Sequence, residues 1–210
     1  MKMSETAAMK ASVPPLVLAS ASSARAALLR GAGLEPLIVP ADVDESEIKR
    51  ALRAEGAGAT DAATALAEFK ARRVSLRHPG ALVVGADQIL VCGKDWFDKP
   101  ADIDQARAHL RALRGKTHGL ATAAVVMRDG ERIWHYMNMP TLAMRNFSDD
   151  FLEDYVMREG GNALSSVGAY RLEGRGVQLF ARIDGDFFTI LGLPLLPLLD
   201  FLREQRVLAT

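Results

Sequence analysis

The chain has 210 residues, with 26 Lys and Arg balanced by 26 Asp and Glu, and is 49% apolar and 25% charged. That composition excludes a disordered chain and suits one folded domain with a sizeable core. With no basic surplus or stripe, it argues against a nucleic-acid partner.

Met1 to Pro15 holds Lys2 and Lys10 but no continuous apolar core, so it reads as a flexible leader rather than a signal peptide, followed by a single domain over 16–210. Leu16 to Ala19 predicts a short buried strand, Ser20 to Ser23 a turn, and Ala24 to Arg30 a helix stopped by Gly31 and Gly33. Pro36 to Val39 predicts a second strand, and the acidic segment Asp42-Val43-Asp44-Glu45 follows it. Ala62 to Leu76 predicts a helix that His78-Pro79-Gly80 ends. Ala81 to Ala86 predicts a buried strand with Asp87 at its tip, and Ile89 to Cys92 runs on extended to a turn at Gly93-Lys94. Ile103 to Leu113 predicts an amphipathic helix, N-capped by Asp102 and stopped near Gly115. Gly119 to Met127 and Ile133 to Met144 predict two long strands joined at Asp129-Gly130. Ser148 caps a helix reaching about Arg158, which Gly160-Gly161 breaks. Val177 to Ile183 and Phe187 to Leu191 predict a second hairpin around Asp184-Gly185, before a closing helix from Pro194. Units of strand, helix and strand mixed with hairpins predict an α/β protein with a mixed sheet. The most apolar stretch, Ile190 to Leu199, is too short to cross a bilayer and is interrupted by Pro194 and Pro197, so no membrane partner and a cytoplasmic location are expected.

Chemistry concentrates at a few polar positions. Ser20, Ser22 and Arg25 stand where the first strand meets its helix, an arrangement that turns free backbone N–H groups toward the loop. The serines have an alternative reading as helix caps. Glu45, Lys70, Asp87 and Lys99 add two carboxylates for a hard cation and two further cations for phosphate oxygens. Lys70 and Arg25 have an alternative reading as solvated surface charges. Asp87 is the sharpest candidate, because the carboxyl ends of strands are where α/β sheets place ligands; its alternative reading is a turn initiator. His118 has two open readings, substrate contact or structural histidine. His78, His109 and His135 read as surface or helix-face residues, and no histidine pair has metal-ligand spacing. Cys92, the single cysteine, cannot form an internal disulfide and reads as a buried hydrophobe.

Leu18-Ala19-Ser20-Ala21-Ser22-Ser23-Ala24-Arg25 followed by Leu28-Leu29 resembles the opening signature of the Maf family, L-A-S-x-S-P-x-R and a leucine pair. Further landmarks follow in order: Val43-Asp44-Glu45, Leu66-Ala67-Glu68-Phe69-Lys70-Ala71, Gly85-Ala86-Asp87-Gln88, Lys99-Pro100, Gly115-Lys116-Thr117-His118, Gly168-Ala169-Tyr170 with Glu173-Gly174, and Ile183-Asp184-Gly185-Asp186 with Gly192-Leu193-Pro194. The resemblance spans about residues 16–204. It implies a mixed twisted sheet with flanking helices and two lobes around a central cleft, related to the inosine-triphosphate pyrophosphatases. It also implies a nucleoside triphosphate pyrophosphatase that uses Mg²⁺ or Mn²⁺, in many members a homodimer. By position, Asp87 corresponds to the family's essential carboxylate, assigned as proton acceptor or metal ligand, and Glu45 to a metal-binding acid. Ser22, Arg25, Lys70 and Lys99 correspond to the phosphate-binding shell, with Ser20, Gln88 and His118 as further substrate-binding positions. Ser23 and Ala24 replace the family's usual Pro and first Arg. Gln88 resembles the branch acting on 7-methyl-GTP, whereas Gly115 to His118 resembles the branch acting on dTTP and UTP. That second branch carries Asp-Lys-Ala where this chain has Ser165-Ser166-Val167, so the base stays open. An alternative to the enzyme is a nucleotide-binding regulator of cell division.

Overall fold

The computed structural model describes residues 13–209; of the expected leader, residues 1–12 lie outside the described residues. Strand β1 (Leu16–Leu18) pairs in parallel with β2 (Leu37–Ile38) on one side and with β3 (Leu82–Cys92) on the other. Helix α1 (Ser23–Gly31) joins β1 to β2, and helices α2 (Glu45–Ala54) and α3 (Ala59–Ser75) lead from β2 to β3. β3 turns at Gly93 (φ 62°) into β4 (Asp95–Phe97). Helix α4 (Ile103–Leu113) leads to β5 (Thr117–Arg128), which lies antiparallel to β3 from Val83↔Met127 to Val91↔Gly119. β6 (Glu131–Asn138) and β7 (Thr141–Met144) both pair with β5, and β8 (Phe180–Asp184) pairs with β7. Helix α5 (Asp149–Glu159) precedes β8; the short helix α6 (Phe187–Ile190) and helix α7 (Leu195–Glu204) follow it. The sheet order is β2-β1-β3-β5-β7-β8, with β4 attached to β3 and β6 to β5. This is the mixed sheet expected from the sequence.

β5 is buried along nearly its whole length because both its faces are covered. Ala121, Ala123, Val125 and Met127 pack with α3, while Ala124 and Val126 pack with residues of α1 and α7. Farther along the same strands, Leu90 and Leu120 enter a third cluster built around α4 and α5. The two central strands therefore contribute to all three clusters.

The Asp129-Gly130 turn forms as expected, with positive φ at both residues (52° and 83°), the type I′ geometry that matches strand twist. Asp102 and Ser148 cap α4 and α5 by accepting from Gln105 N and Phe151 N. Several expectations are corrected. Asp87 does not end a strand: β3 continues through it to Cys92, because β5 pairs with it on the far side. The long run from Ile133 to Met144 divides into β6 and β7 at Met139-Pro140, where proline has no N–H to give a ladder. The hairpin expected around Asp184-Gly185 is replaced by β8 and α6. The Asp186 side chain accepts from both the N–H and the hydroxyl of Thr189, each at 2.7 Å, and so starts a helical turn where a strand was expected. Helix α2 arises within and beyond the acidic segment, capped by Asp44 accepting from Glu47 N at 2.9 Å. Cys92 is half-buried, less enclosed than its apolar run suggested.

Candidate active site

α3 approaches β3 closely because Gly85 has no side chain: a Cβ there would overlap the Ala67 carbonyl oxygen and crowd Ala71. Gly85 and Asp87 are two apart on the strand and so share the face that α3 covers. The same approach brings Lys70, on α3, over the carboxylate. Lys70 Nζ lies 2.6 Å from Asp87 Oδ1 and 2.7 Å from Glu45 Oε1. The Lys70 and Asp87 side chains are 7% and 4% exposed; Glu45, at the first turn of α2, is 45% exposed. The surface-charge reading of Lys70 is thus replaced by a buried bridge between two acids. Burial raises the Glu45 carboxyl's pKa, but Lys70, with Lys49 and Arg25 farther off, outweighs it and the net shift is downward, toward the ionised form.

β1 ends at Leu18, two residues short of the site, with Ala19 N donating to Val84 O at 2.8 Å as the last link to β3. The Ala86 carbonyl beyond it is left without a strand partner on that edge. Arg25 takes it: Nη1 donates to Ala86 O at 2.9 Å and to Ser20 Oγ at 3.2 Å, and Nε donates to Gly192 O at 2.8 Å. Arg25 thus pins three chain segments together, with two of its three nitrogens committed to the task. Ser22 caps α1, its Oγ accepting from Arg25 N at 3.4 Å, and Ser20 Oγ accepts from Ser22 N at 3.2 Å. The capping reading of these serines holds, and it leaves the helix N-terminus, with its unpaired N–H groups, beside the acids. Lys99 is exposed in the loop after β4. Its ammonium pKa is lowered, first by burial of the charged end and then by Arg25 and Lys70, against Glu45 and Asp87. Those five charges therefore share one electrostatic neighbourhood.

Two other candidate residues do not join the Glu45–Lys70–Asp87 group. Gln88, next to Asp87, points to the opposite face of the strand, where its amide nitrogen donates to Thr122 Oγ1 at 2.8 Å and to the Thr189 and Ile190 carbonyls. His118 is 2% exposed and shares a 2.7 Å hydrogen bond through Nε2 with the Tyr170 hydroxyl. Burial pushes its pKa down to about 4. The burial of His118 and its bond to Tyr170 suit the structural reading, while Nδ1 is buried without a partner among the described residues. Lys49, which the sequence reading passed over, faces the site from α2, one turn after Glu45, and bonds Asp98 Oδ1 at 2.6 Å. The signal for it was present: Asp44 and Glu47 have capping-box spacing, and a helix started there puts Lys49 on the same face as Glu45.

Among the described residues no group of three or more His, Cys, Asp or Glu side chains gathers that could hold a metal alone. Asp87 Oδ2 is nevertheless buried and without a hydrogen-bond partner. An orphaned carboxylate oxygen is costly unless something positive reaches it. With Glu45 nearby, it fits a cation that takes one or two protein carboxylates and fills its shell from phosphates and water, as Mg²⁺ does.

The arrangement is a helix N-terminus, a cluster of cations and a pair of acids on a mixed sheet, and the chain as a whole has close relatives. The chain is 54% identical over 193 residues to the nucleoside triphosphate pyrophosphatase of Granulibacter bethesdensis, covering 92% of this chain and 98% of that protein. It is 55% identical over 200 residues to the enzyme of the same name from Rhodospirillum rubrum, covering 95% and 99%. It is 50% identical over 188 residues to the 7-methyl-GTP pyrophosphatase of Mesorhizobium japonicum, covering 90% and 94%. Residues 15–205 match the family described as Maf-like protein, and with the fold and the order of its landmarks this establishes that the chain belongs to the Maf family.

Proposed function

We propose that this chain hydrolyses nucleoside triphosphates between the α and β phosphates, releasing a nucleoside monophosphate and pyrophosphate. The observation that carries the reading is the Glu45–Lys70–Asp87 bridge beside the N-terminus of α1. It joins a buried acid with a free oxygen to a set of groups suited to polyphosphate. The names of the relatives, nucleoside triphosphate pyrophosphatase and 7-methyl-GTP pyrophosphatase, support the same reaction.

In this reading the N–H groups at the start of α1, with Lys99, receive the phosphate oxygens, and Arg25 keeps the loop in place for them. Lys70 holds Asp87 Oδ1 and Glu45, which leaves Asp87 Oδ2 to orient the attacking water and accept its proton. Water oxygen bonds to the α phosphorus, the bond from that phosphorus to the bridging oxygen breaks, and the electron pair leaves with pyrophosphate. Asp87 and Glu45 are the residues that would hold Mg²⁺ or Mn²⁺; when bound, the cation acidifies water and offsets phosphate charge. A homodimer and a cytoplasmic location complete the proposal, to be checked by light scattering and by cell fractionation. Among the described residues no helix is long and apolar enough to cross a membrane.

The test is pyrophosphate release, with orthophosphate followed in parallel, across ordinary ribo- and deoxyribonucleoside triphosphates and 7-methyl-GTP with Mg²⁺ or Mn²⁺. Pyrophosphate from one or a few of them, lost in Asp87→Asn, is the expected result and identifies the base. Orthophosphate as the product would overturn the cleavage position. Nucleotide binding with no turnover would favour the regulator of cell division, which the alanine at position 24 makes the natural second reading.

A further inference from the structure

α2 is a lightly buried helix that begins with Glu45. None of its residues is fully buried, and only its half-buried Ile48 and Leu52 pack against a core cluster. Its remaining attachments form one stripe at four-residue spacing, the spacing that aligns side chains along a helix face. Glu45 bonds Lys70 on α3. Lys49 bonds Asp98 at 2.6 Å. Arg53 donates to the Lys94 carbonyl at 2.9 Å and lies 5.3 Å from the centre of the Trp96 ring. The last two contacts fasten α2 to the β3–β4 hairpin and to the residue next to Lys99. Lys49 is the buried member of its pair, 13% exposed against 63% for Asp98, so its ammonium looks inward toward the site. Burial would lower its pKa, but Asp87, Asp98 and Glu45 outweigh burial and the net shift is upward, which keeps it charged.

We propose that Lys49 is a positioning residue for the triphosphate site: bound to Asp98, it ties the helix bearing Glu45 to the segment bearing Lys99, and so fixes the separation of the acidic and basic walls between which the triphosphate lies. The inference rests on the reading of the site given above. Lys49 acts through Asp98 rather than by touching substrate, so the two residues are one device and their substitutions share one effect.

The experiment compares Lys49→Met, Asp98→Asn, the double variant and Lys49→Arg with the unaltered protein. The readouts are kcat and KM on the best nucleotide, the Mg²⁺ concentration for half-maximal rate, and calorimetric binding of inorganic tripolyphosphate with Mg²⁺. Each single neutral variant is expected to raise KM and the Mg²⁺ requirement, and to weaken tripolyphosphate, more than it lowers kcat. The fall in kcat/KM should lie between about tenfold and hundredfold, the range for a misplaced binding group. The double variant should be no worse than the worse single variant, as a shared pathway requires, and Lys49→Arg should recover most of the loss. Asp98 is exposed, so Asp98→Asn tests the idea even where Lys49→Met fails to fold. The proposal is overturned if Asp98→Asn behaves as the unaltered protein, or if the two losses multiply in the double variant. Asp87→Asn separates the two levels: activity surviving there defeats the reading of the site, whereas an inactive Asp87→Asn beside an unaffected Asp98→Asn defeats only the positioning role.

Discussion

Lys70 satisfies two acids with one ammonium, and its removal leaves Asp87 buried without its counter-charge. Breaking a buried pair from one side costs about 3–5 kcal/mol, far more than an exposed pair would. Lys70→Met is therefore expected to lower stability by about 3 kcal/mol in urea unfolding and to abolish pyrophosphate release. A loss below about 1 kcal/mol, the usual value of an exposed pair, would mean that the bridge is not closed in solution. His118 supplies a pH dependence of known sign. Its folded pKa, about 4, lies below the ordinary histidine value of 6.5, so the unfolded chain binds the extra proton first. Its contribution to stability is full above pH 6.5 and is lost as pH falls toward 4, by up to about 3 kcal/mol. In His118→Gln this part of the acid destabilisation should vanish, which melting temperatures between pH 4 and 7 would reveal. Asp87 stood out in the sequence as a carboxylate following the apolar run Ala81 to Ala86, and its burial under α3 is what that run foreshadowed. That Gln88 turns away from it was equally available from the two-residue period of a strand, once that strand was known to continue.

At the scale of elements, Gly85 sets the distance between α3 and β3. Gly85→Ala would drive a methyl group into the Ala67 carbonyl. Overpacking of this kind costs about 1–3 kcal/mol, and because it lifts Lys70 from Asp87, pyrophosphate release should fall even at temperatures where the variant stays folded. Normal turnover in a folded Gly85→Ala protein would contradict this account. For α2, which lacks buried residues, the Asp44 cap matters more than it would in a helix held by a core. Asp44→Ala is expected to cost about 1 kcal/mol locally. The effect should appear as faster amide hydrogen exchange in α2 with α3 unchanged, together with a higher Mg²⁺ requirement, since Glu45 begins that helix. α4 and α5 were legible because cap, apolar period and stop signal agree in each. α2 was not, because its charged residues hid Ile48 and Leu52. The false hairpin had the opposite cause: a genuine turn signal at Asp184-Gly185 was followed by Asp186, whose reach to Thr189 fixed a helical turn that the apolar run after it could not override.

For the whole molecule, composition and element order were enough to indicate a mixed α/β sheet. The site was legible only in pieces, because its members come from α1, α2, α3, β3 and a loop, which no short-range pattern relates. Register and the α3–β3 approach bring them together, and both depend on contacts distant in sequence.

The two central strands, β3 and β5, run without interruption from the clusters under α1, α3 and α7 into the one around α4 and α5, and are hydrogen-bonded to each other along the way. A pair of strands so joined behaves as a stiff beam, and it resists hinging of the elements packed at its two ends toward each other. Adjustment to a ligand would then fall to the lightly seated pieces at the rim, α2 together with the β3–β4 hairpin it is tied to. Scattering curves with and without bound tripolyphosphate should therefore give the same radius of gyration. Exchange of the ligand would then depend on movement at the rim rather than on hinging of the frame.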